Sequence, residues 1–268
     1  MARLRWWSTV LYPAALVAVF LGGQLLLKAF GVPAGLQASL AALPAVAALL
    51  ISLPLRLRRC WAEPHPWQRL GVSAPLPGVI KALLRGLIKA VLLLALVVIA
   101  LLIAGQLSWQ PRLSAALVLN AAALGLGVGF AEELLFRGWL LGELSLLLGR
   151  QRGLWLQAAL FSLVHTRFNL PPLELLGLLI GLLLLGLALG LQRRADGGLL
   201  WGAVGLHGGL VAGWFLLHQG LAVIPPTAPA WLMGPANPIG GLVGWFGLTL
   251  LLLARRPWWN GARSGAEP

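Results

Sequence analysis

Charge is scarce in this chain. Of 268 residues only 10% are Asp, Glu, Lys or Arg, and just seven of those are acidic. Cys60 is the one cysteine, which excludes an internal disulfide and a thiolate metal cluster. No polar segment is long enough to fold separately and no internal repeat is evident, so residues 1–268 are expected to form a single integral membrane domain. What replaces the missing polar residues is apolar. The chain is 59% hydrophobic, with a mean hydropathy of +0.89. A soluble domain could not bury so much apolar surface, so the solvent is a bilayer.

The formal net charge of +13 invites a nucleic-acid reading, but the basic residues cluster between apolar runs. That distribution suits topology determinants and anchors to anionic headgroups, so membrane lipids are expected partners and nucleic acid is not. A bilayer core of about 30 Å needs about 20 apolar residues per helix. Stretches near 9–30, 33–54, 83–105, 115–148, 153–168, 172–192, 198–217 and 239–254 meet or approach that length. The expected fold is therefore all-α, a polytopic transmembrane bundle of about eight spans with N- and C-termini inside. The first apolar run follows Arg3 and Arg5 and lacks a clear small-residue cleavage site, so it reads as a retained signal anchor.

With that orientation the inner segments hold most of the cations, including Arg56, Arg58, Arg59, Arg150, Arg152, Arg193, Arg194, Arg255, Arg256 and Arg263. The outer segments hold Lys28, Arg112 and Arg167, an asymmetry that obeys the positive-inside rule. Trp6, Trp7, Trp61, Trp155, Trp201, Trp258 and Trp259 fall near span ends, as an aromatic belt does. Pro225, Pro226, Pro229, Pro235 and Pro238 fill the last loop, and the inner segment 56–82 is expected to lie along the membrane surface. Arg outnumbers Lys, and Ala, Gly and Leu dominate, a bias of GC-rich bacterial genomes. The bacterial inner (plasma) membrane is the expected location.

Against this background Glu132 and Glu133 stand out, side by side within Phe130-Ala-Glu-Glu-Leu-Leu-Phe-Arg137-Gly138. An ionisable group at membrane depth costs roughly 2.5–3.5 kcal/mol on insertion scales and marks function by default. Residues four apart share a helix face, so Glu133 and Arg137 can pair, while Glu132 points about 100° away and is free to face a cavity. Two further spans carry imidazoles: His165, in Phe161-x-x-x-His165, and His207, in Gly205-Leu-His207-Gly-Gly209. Each lies 13 residues beyond an inner arginine, Arg152 and Arg194 respectively, or about 20 Å along a helix. Glu132 lies 18 residues before Arg150, about 27 Å if the helix were straight, so tilt or a surface-lying end near 140–149 is needed to level the three groups.

An acid and two imidazoles support two chemistries. Glu132 can act as general base on water, with His165 orienting that water and His207 donating to a tetrahedral oxyanion. Alternatively Glu132, His165 and His207 can ligate a divalent metal such as zinc, leaving a position open for water. Either arrangement hydrolyses an amide. A polar cluster that only glues helices, or a proton-coupled carrier, are the competing readings. His218 reads as interfacial, Asn120 as an interhelical hydrogen bonder, Glu143 and Glu174 as ordinary polar span ends, and the Leu175–Leu191 run as a lipid-facing helix. Arg167 and Asn169, beside His165, can rim an entrance.

Glu-Glu-x-x-x-Arg-Gly, then Phe-x-x-x-His, then a later His in a separate span resembles the CPBP family of intramembrane proteases. These are the CAAX-processing and bacteriocin-processing (Abi-like) enzymes related to type II CAAX prenyl endopeptidases. The similarity covers roughly residues 115–217, the expected catalytic core. It implies cleavage of membrane-associated or lipidated peptides by a metal-free, glutamate-type endopeptidase without a cofactor. Position by position, Glu132 resembles the water-activating glutamate and Glu133 its partner, held by Arg137. His165 resembles the histidine that positions the water, with Phe161 packed one turn before it, and His207 the oxyanion-stabilising histidine. Where the family usually has Asn four residues after that last histidine, this chain has Val211, which implies weak activity, a substitute donor, or an inactive member serving as a scaffold or immunity-type protein.

Overall fold

The computed structural model describes residues 4–226, 228–233 and 237–254; Arg3, Pro235, Arg255, Arg256, Trp258, Trp259 and Arg263 lie outside the described residues. The described chain is mostly helical, and its strands are one two-residue antiparallel pairing of β1 (Ser108–Trp109) with β2 (Ala222–Val223). It divides into two compact units, residues 1–69 and 70–268.

In the first unit α1 (Trp6–Ala29) and α2 (Ala34–Arg56) form a helical hairpin. Gly31, at φ 71°, takes the left-handed turn that closes it, a conformation open to glycine at no steric cost. The two helices meet where a Cβ on Gly23 would lie 3.3 Å from the Cβ of Ala41. Tyr12 Oη and Ser52 Oγ share a hydrogen bond of 3.0 Å, and the Arg56 guanidinium sits 5.0 Å from the Tyr12 ring centroid. The segment expected to lie along the surface is partly helical. It contains a π-helical turn (Leu57–Trp61) and the short α3 (Pro66–Arg69).

The second unit holds α4 (Leu76–Ile103), α5 (Ala115–Glu133), α6 (Leu141–Leu148), α7 (Arg150–Val164), α8 (Pro172–Ala195), α9 (Trp201–Leu216), α10 (Ala230–Met233) and α11 (Leu242–Ala254). Ser114 caps α5 by accepting the Leu117 amide at 3.2 Å. Helix α9 lies at the centre, buried almost continuously from Gly202 to Gly208 between α4 and α5. Glycine permits that approach. A Cβ on Gly205 would fall 2.3 Å from the Leu83 carbonyl oxygen, and one on Gly208 would fall 2.2 Å from that of Gly125. Backbone-to-backbone contact of this kind is how helices associate when lipid removes the hydrophobic drive between them.

Among the described residues five helices are long and apolar enough to cross a membrane: Trp6–Ala29, Ala34–Trp61, Leu76–Ile103, Ala115–Leu148 and Pro172–Ala195. The stretches expected at 153–168 and 198–217 form the shorter helices α7 and α9. Helix α7 stops at Val164, so His165 lies just past its end rather than inside it.

Three other expectations need correction. Helix α8, expected to face lipid, is buried on all sides from Leu185 to Gln192. Its glycines, not its leucines, decide this: a Cβ on Gly186 would sit 2.9 Å from Ala158 Cα of α7. Asn120 is exposed on α5 rather than bonded between helices. Glu143 is fully buried and accepts the Trp139 indole N–H at 2.5 Å, so it is no ordinary span end.

Gln157 on α7 is fully buried, and among the described residues neither its amide oxygen nor its amide nitrogen has a hydrogen-bond partner. An unpaired buried polar group costs about 1–3 kcal/mol. Gln157→Leu is therefore expected to raise stability by about that amount, measured as thermal or denaturant unfolding in detergent; an unchanged or lowered stability would show that the amide is satisfied.

Candidate active site

The helix that begins at α5 runs on without a break into α6, but Leu134–Leu140 between them is π-helical. Such segments are rare and concentrate at functional sites, because one wide turn re-aims the side chains around it. Here it follows directly on Glu132 and Glu133. Levelling the acids with the imidazoles was expected to need tilt or a surface-lying helix end; the irregularity observed is this wide turn instead. Arg193, near the end of α8, donates from Nη1 to the carbonyl oxygens of Arg137 and Gly138 inside it, and from Nε to Gly198 O at 3.0 Å. A cation from another helix thus fastens the irregular segment.

Glu133 and Arg137 form a wholly buried ion pair, Nη1 to Oε1 at 2.7 Å. His207 Nδ1 reaches the same carboxylate oxygen at 2.9 Å, from α9. The Phe161 ring lies under this group, with the Arg137 guanidinium carbon 4.0 Å from its centroid and the His207 ring edge-on at 5.8 Å. Phe136 from the π-helical segment packs edge-on against the same ring at 5.1 Å. Phe161 is fully buried, and the next residue, Ser162, ties α7 to α8 through a 2.6 Å bond to the Leu179 carbonyl. Stacking a desolvated guanidinium on an aromatic face is worth about 2 kcal/mol.

The other acid and imidazole lie on the open side. His165 follows the last turn of α7, and its Nδ1 lies 2.7 Å from the Phe161 carbonyl oxygen. A carbonyl only accepts, so Nδ1 carries a proton and donates it. The ring also packs on Phe161, at 4.7 Å between centroids. Both constraints turn Nε2 toward Glu132, whose Oε2 is 3.3 Å away, within ion-pair reach but not aligned as a hydrogen bond. The side chains of His165 and Glu132 keep 29% and 28% of their accessible surface, whereas Glu133 and Arg137 keep none. The cluster therefore has an open pair, Glu132–His165, backed by a sealed trio, Glu133–Arg137–His207, with Phe161 between them.

The two imidazoles thus contact different carboxylates, His165 beside Glu132 and His207 beside Glu133. Adjacent residues on a helix point about 100° apart, so one acid cannot present itself to both neighbouring helices. Oε2 of Glu132, Oε2 of Glu133, and Nε and Nη2 of Arg137 are buried without a hydrogen-bond partner among the described residues. Among the described residues no three His, Cys, Asp or Glu side chains are grouped so as to hold a metal ion. The alternative ligand set Glu132, His165 and His207 does not fit a metal in this arrangement.

Val211 lies half-buried on α9, one turn after His207, and offers no donor. His218 stacks on Trp214 at 4.4 Å in the π-helical turn Leu217–Leu221. Sequence reasoning missed Arg193, which it treated as an inner-loop charge, because nothing local announces that its side chain will cap a distant π-helical segment. It also passed over a second network nearby. There Arg85 pairs with Asp196 at 2.6 Å, Gln192 donates to Asp196 at 2.6 Å, and Lys89 bonds to Gln192.

Residues 114–213 match the family model for type II CAAX prenyl endopeptidases, Rce1-like. The matched segment contains Glu132, Glu133, Arg137, Phe161, His165, His207 and Val211. No curated protein and no solved structure matches the chain. The family match points to a protease, and the long apolar helices fit an integral membrane protein.

Proposed function

We propose that this Rce1-like segment is the catalytic core of an intramembrane endopeptidase in which Glu132 activates water against a peptide bond of a membrane-associated substrate, CAAX-type or related. The reading is carried by one observation: an accessible acid–imidazole pair in front of a sealed, charge-paired one. With Nδ1 committed to the Phe161 carbonyl, a neutral His165 has a bare Nε2 beside Glu132. A water donating one hydrogen to Glu132 and the other to His165 has both O–H bonds held. Its remaining lone pairs are then free for the substrate carbonyl carbon.

As the water oxygen attacks, its proton passes to Glu132 and the carbonyl oxygen becomes an oxyanion. Collapse of the tetrahedral intermediate breaks the C–N bond, and Glu132 returns the proton to the leaving amine. His207 completes the scheme as an oxyanion donor. The two carboxylates and Arg137 sum to a formal charge of −1, which one imidazolium balances. Glu133 behind Nδ1 supports that charge while Nε2 donates forward. About eight spans with both termini inside, in a bacterial inner membrane, complete the proposal.

The test is cleavage of a panel of membrane-anchored, internally quenched peptides by the purified chain in proteoliposomes. Wild-type cleavage that is lost in Glu132→Gln is expected, and equal turnover by both refutes glutamate-activated water. Absence of any cleavage favours a non-catalytic role. Val211→Asn places a donor one turn from His207 on the same face of α9. It is expected to raise the cleavage rate about tenfold, part of the roughly 10²–10³ that one preorganised donor contributes; an unchanged rate would mean that the oxyanion lies elsewhere.

A further inference from the structure

We propose that the outer face of α7 binds an anionic phospholipid, with an acyl chain in an apolar groove and the phosphate at Arg152. The groove has a volume of about 500 Å³ and runs between the end of α6 and α8. Apart from Gln151 and Arg152, its walls are Leu148, Trp155, Leu156, Ala159 and Leu183, so most of its length suits hydrocarbon. Arg152 closes one end. It is exposed, and among the described residues its side chain forms no hydrogen bond or ion pair. From Arg152 to Ala159 the groove extends about 10 Å along the helix, the span from a headgroup into the upper acyl chain.

Two further features place positive charge at that end. Helix α7 begins at Arg150 after Gly149, with no side-chain cap, so its first-turn amides and the positive end of its dipole face outward. Arg194 Nη2 bonds to the Arg150 carbonyl at 2.6 Å, which brings another guanidinium to the same corner. An apolar trough that ends in clustered arginines is complementary to a molecule with an anionic head and a hydrocarbon tail. A free phosphate would leave the trough unfilled, and a zwitterionic lipid would set its own cation against Arg152. Basic pockets between transmembrane helices hold anionic headgroups in this way. The proposal does not depend on the proteolytic reading, because none of the groove residues touches the Glu132–His165 pair.

The experiment is native mass spectrometry of the full chain released from mixed vesicles of phosphatidylglycerol and phosphatidylcholine. Wild-type protein is expected to retain phosphatidylglycerol in preference. Arg152→Gln is expected to lower that retention about fivefold, the factor carried by one basic residue near a headgroup, without changing phosphatidylcholine. Ala159→Trp, which fills the groove, is expected to lower retention of both lipids. Equal retention of the two lipids by the wild type, or undiminished phosphatidylglycerol on Arg152→Gln, would overturn the headgroup assignment. Undiminished lipid on Ala159→Trp would overturn the groove. Arg152 is exposed and Ala159 half-buried, and unchanged circular dichroism and elution volume establish that the variants fold.

Discussion

Glu132→Gln lowers the rate of peptide hydrolysis by about 10²–10⁴, the range contributed by a positioned general base, and leaves stability within about 0.5 kcal/mol of wild type. The two halves of this expectation come from different facts. Gln matches Glu in shape but cannot take a proton from water, so the chemical step loses its base. Stability survives because Glu132 is partly accessible and its contact with His165 is a 3.3 Å approach without hydrogen-bond alignment. Little folding energy is lost with it. Measured in proteoliposomes alongside unfolding in detergent, turnover of the variant within threefold of wild type would remove Glu132 from the chemistry. A large fall in stability would instead make it a structural acid.

Arg137→Met has the opposite signature: stability falls by about 3–5 kcal/mol, the cost of stranding a charge whose buried partner has been removed. Glu133 has no accessible surface, and one of its oxygens already lacks a partner. Without the guanidinium it keeps only His207. The aromatic face of Phe161 also loses the cation stacked 4.0 Å from its centroid. Adding Glu133→Gln to Arg137→Met should recover a substantial part of the loss, since the carboxylate that lost its guanidinium is then a neutral amide whose oxygen can still accept from His207 Nδ1. Unfolding free energies of the single and double variants test this directly. A double variant no more stable than Arg137→Met alone would show that charge pairing is not what Arg137 supplies. Side by side, the two substitutions separate the open acid, proposed to act on water, from the sealed one, which is paired with Arg137 and His207.

Much of this was open to inspection from residue types alone. Charge so scarce, in a chain so apolar, leaves few places for ionisable groups, and those at membrane depth had to be paired or functional. The i, i+4 spacing puts Glu133 and Arg137 on one face, and they meet at 2.7 Å. Gly125, Gly205 and Gly208 stand where helix backbones touch, as small residues between membrane helices allow. Misreadings arose where local pattern and burial part company. The leucine run of α8 resembles a lipid-facing surface because hydropathy does not distinguish lipid from protein interior. The glycines threaded through it turn that surface inward. Glu143 resembles a span end because its burial against the Trp139 indole does not show in the local pattern.

Sequence by itself determined the solvent, the helical class, the short set of groups able to do chemistry, and the pairing of Glu133 with Arg137. All of these follow from composition and from periodicities shorter than two helical turns. Tertiary structure decided the rest: which imidazole meets which acid, that His165 ends a helix, that a π-helical turn follows the acids, and that Arg193 reaches back to hold it. Those facts depend on how separate helices are rotated and where they touch. Contacts between residues dozens of positions apart leave no local period to read.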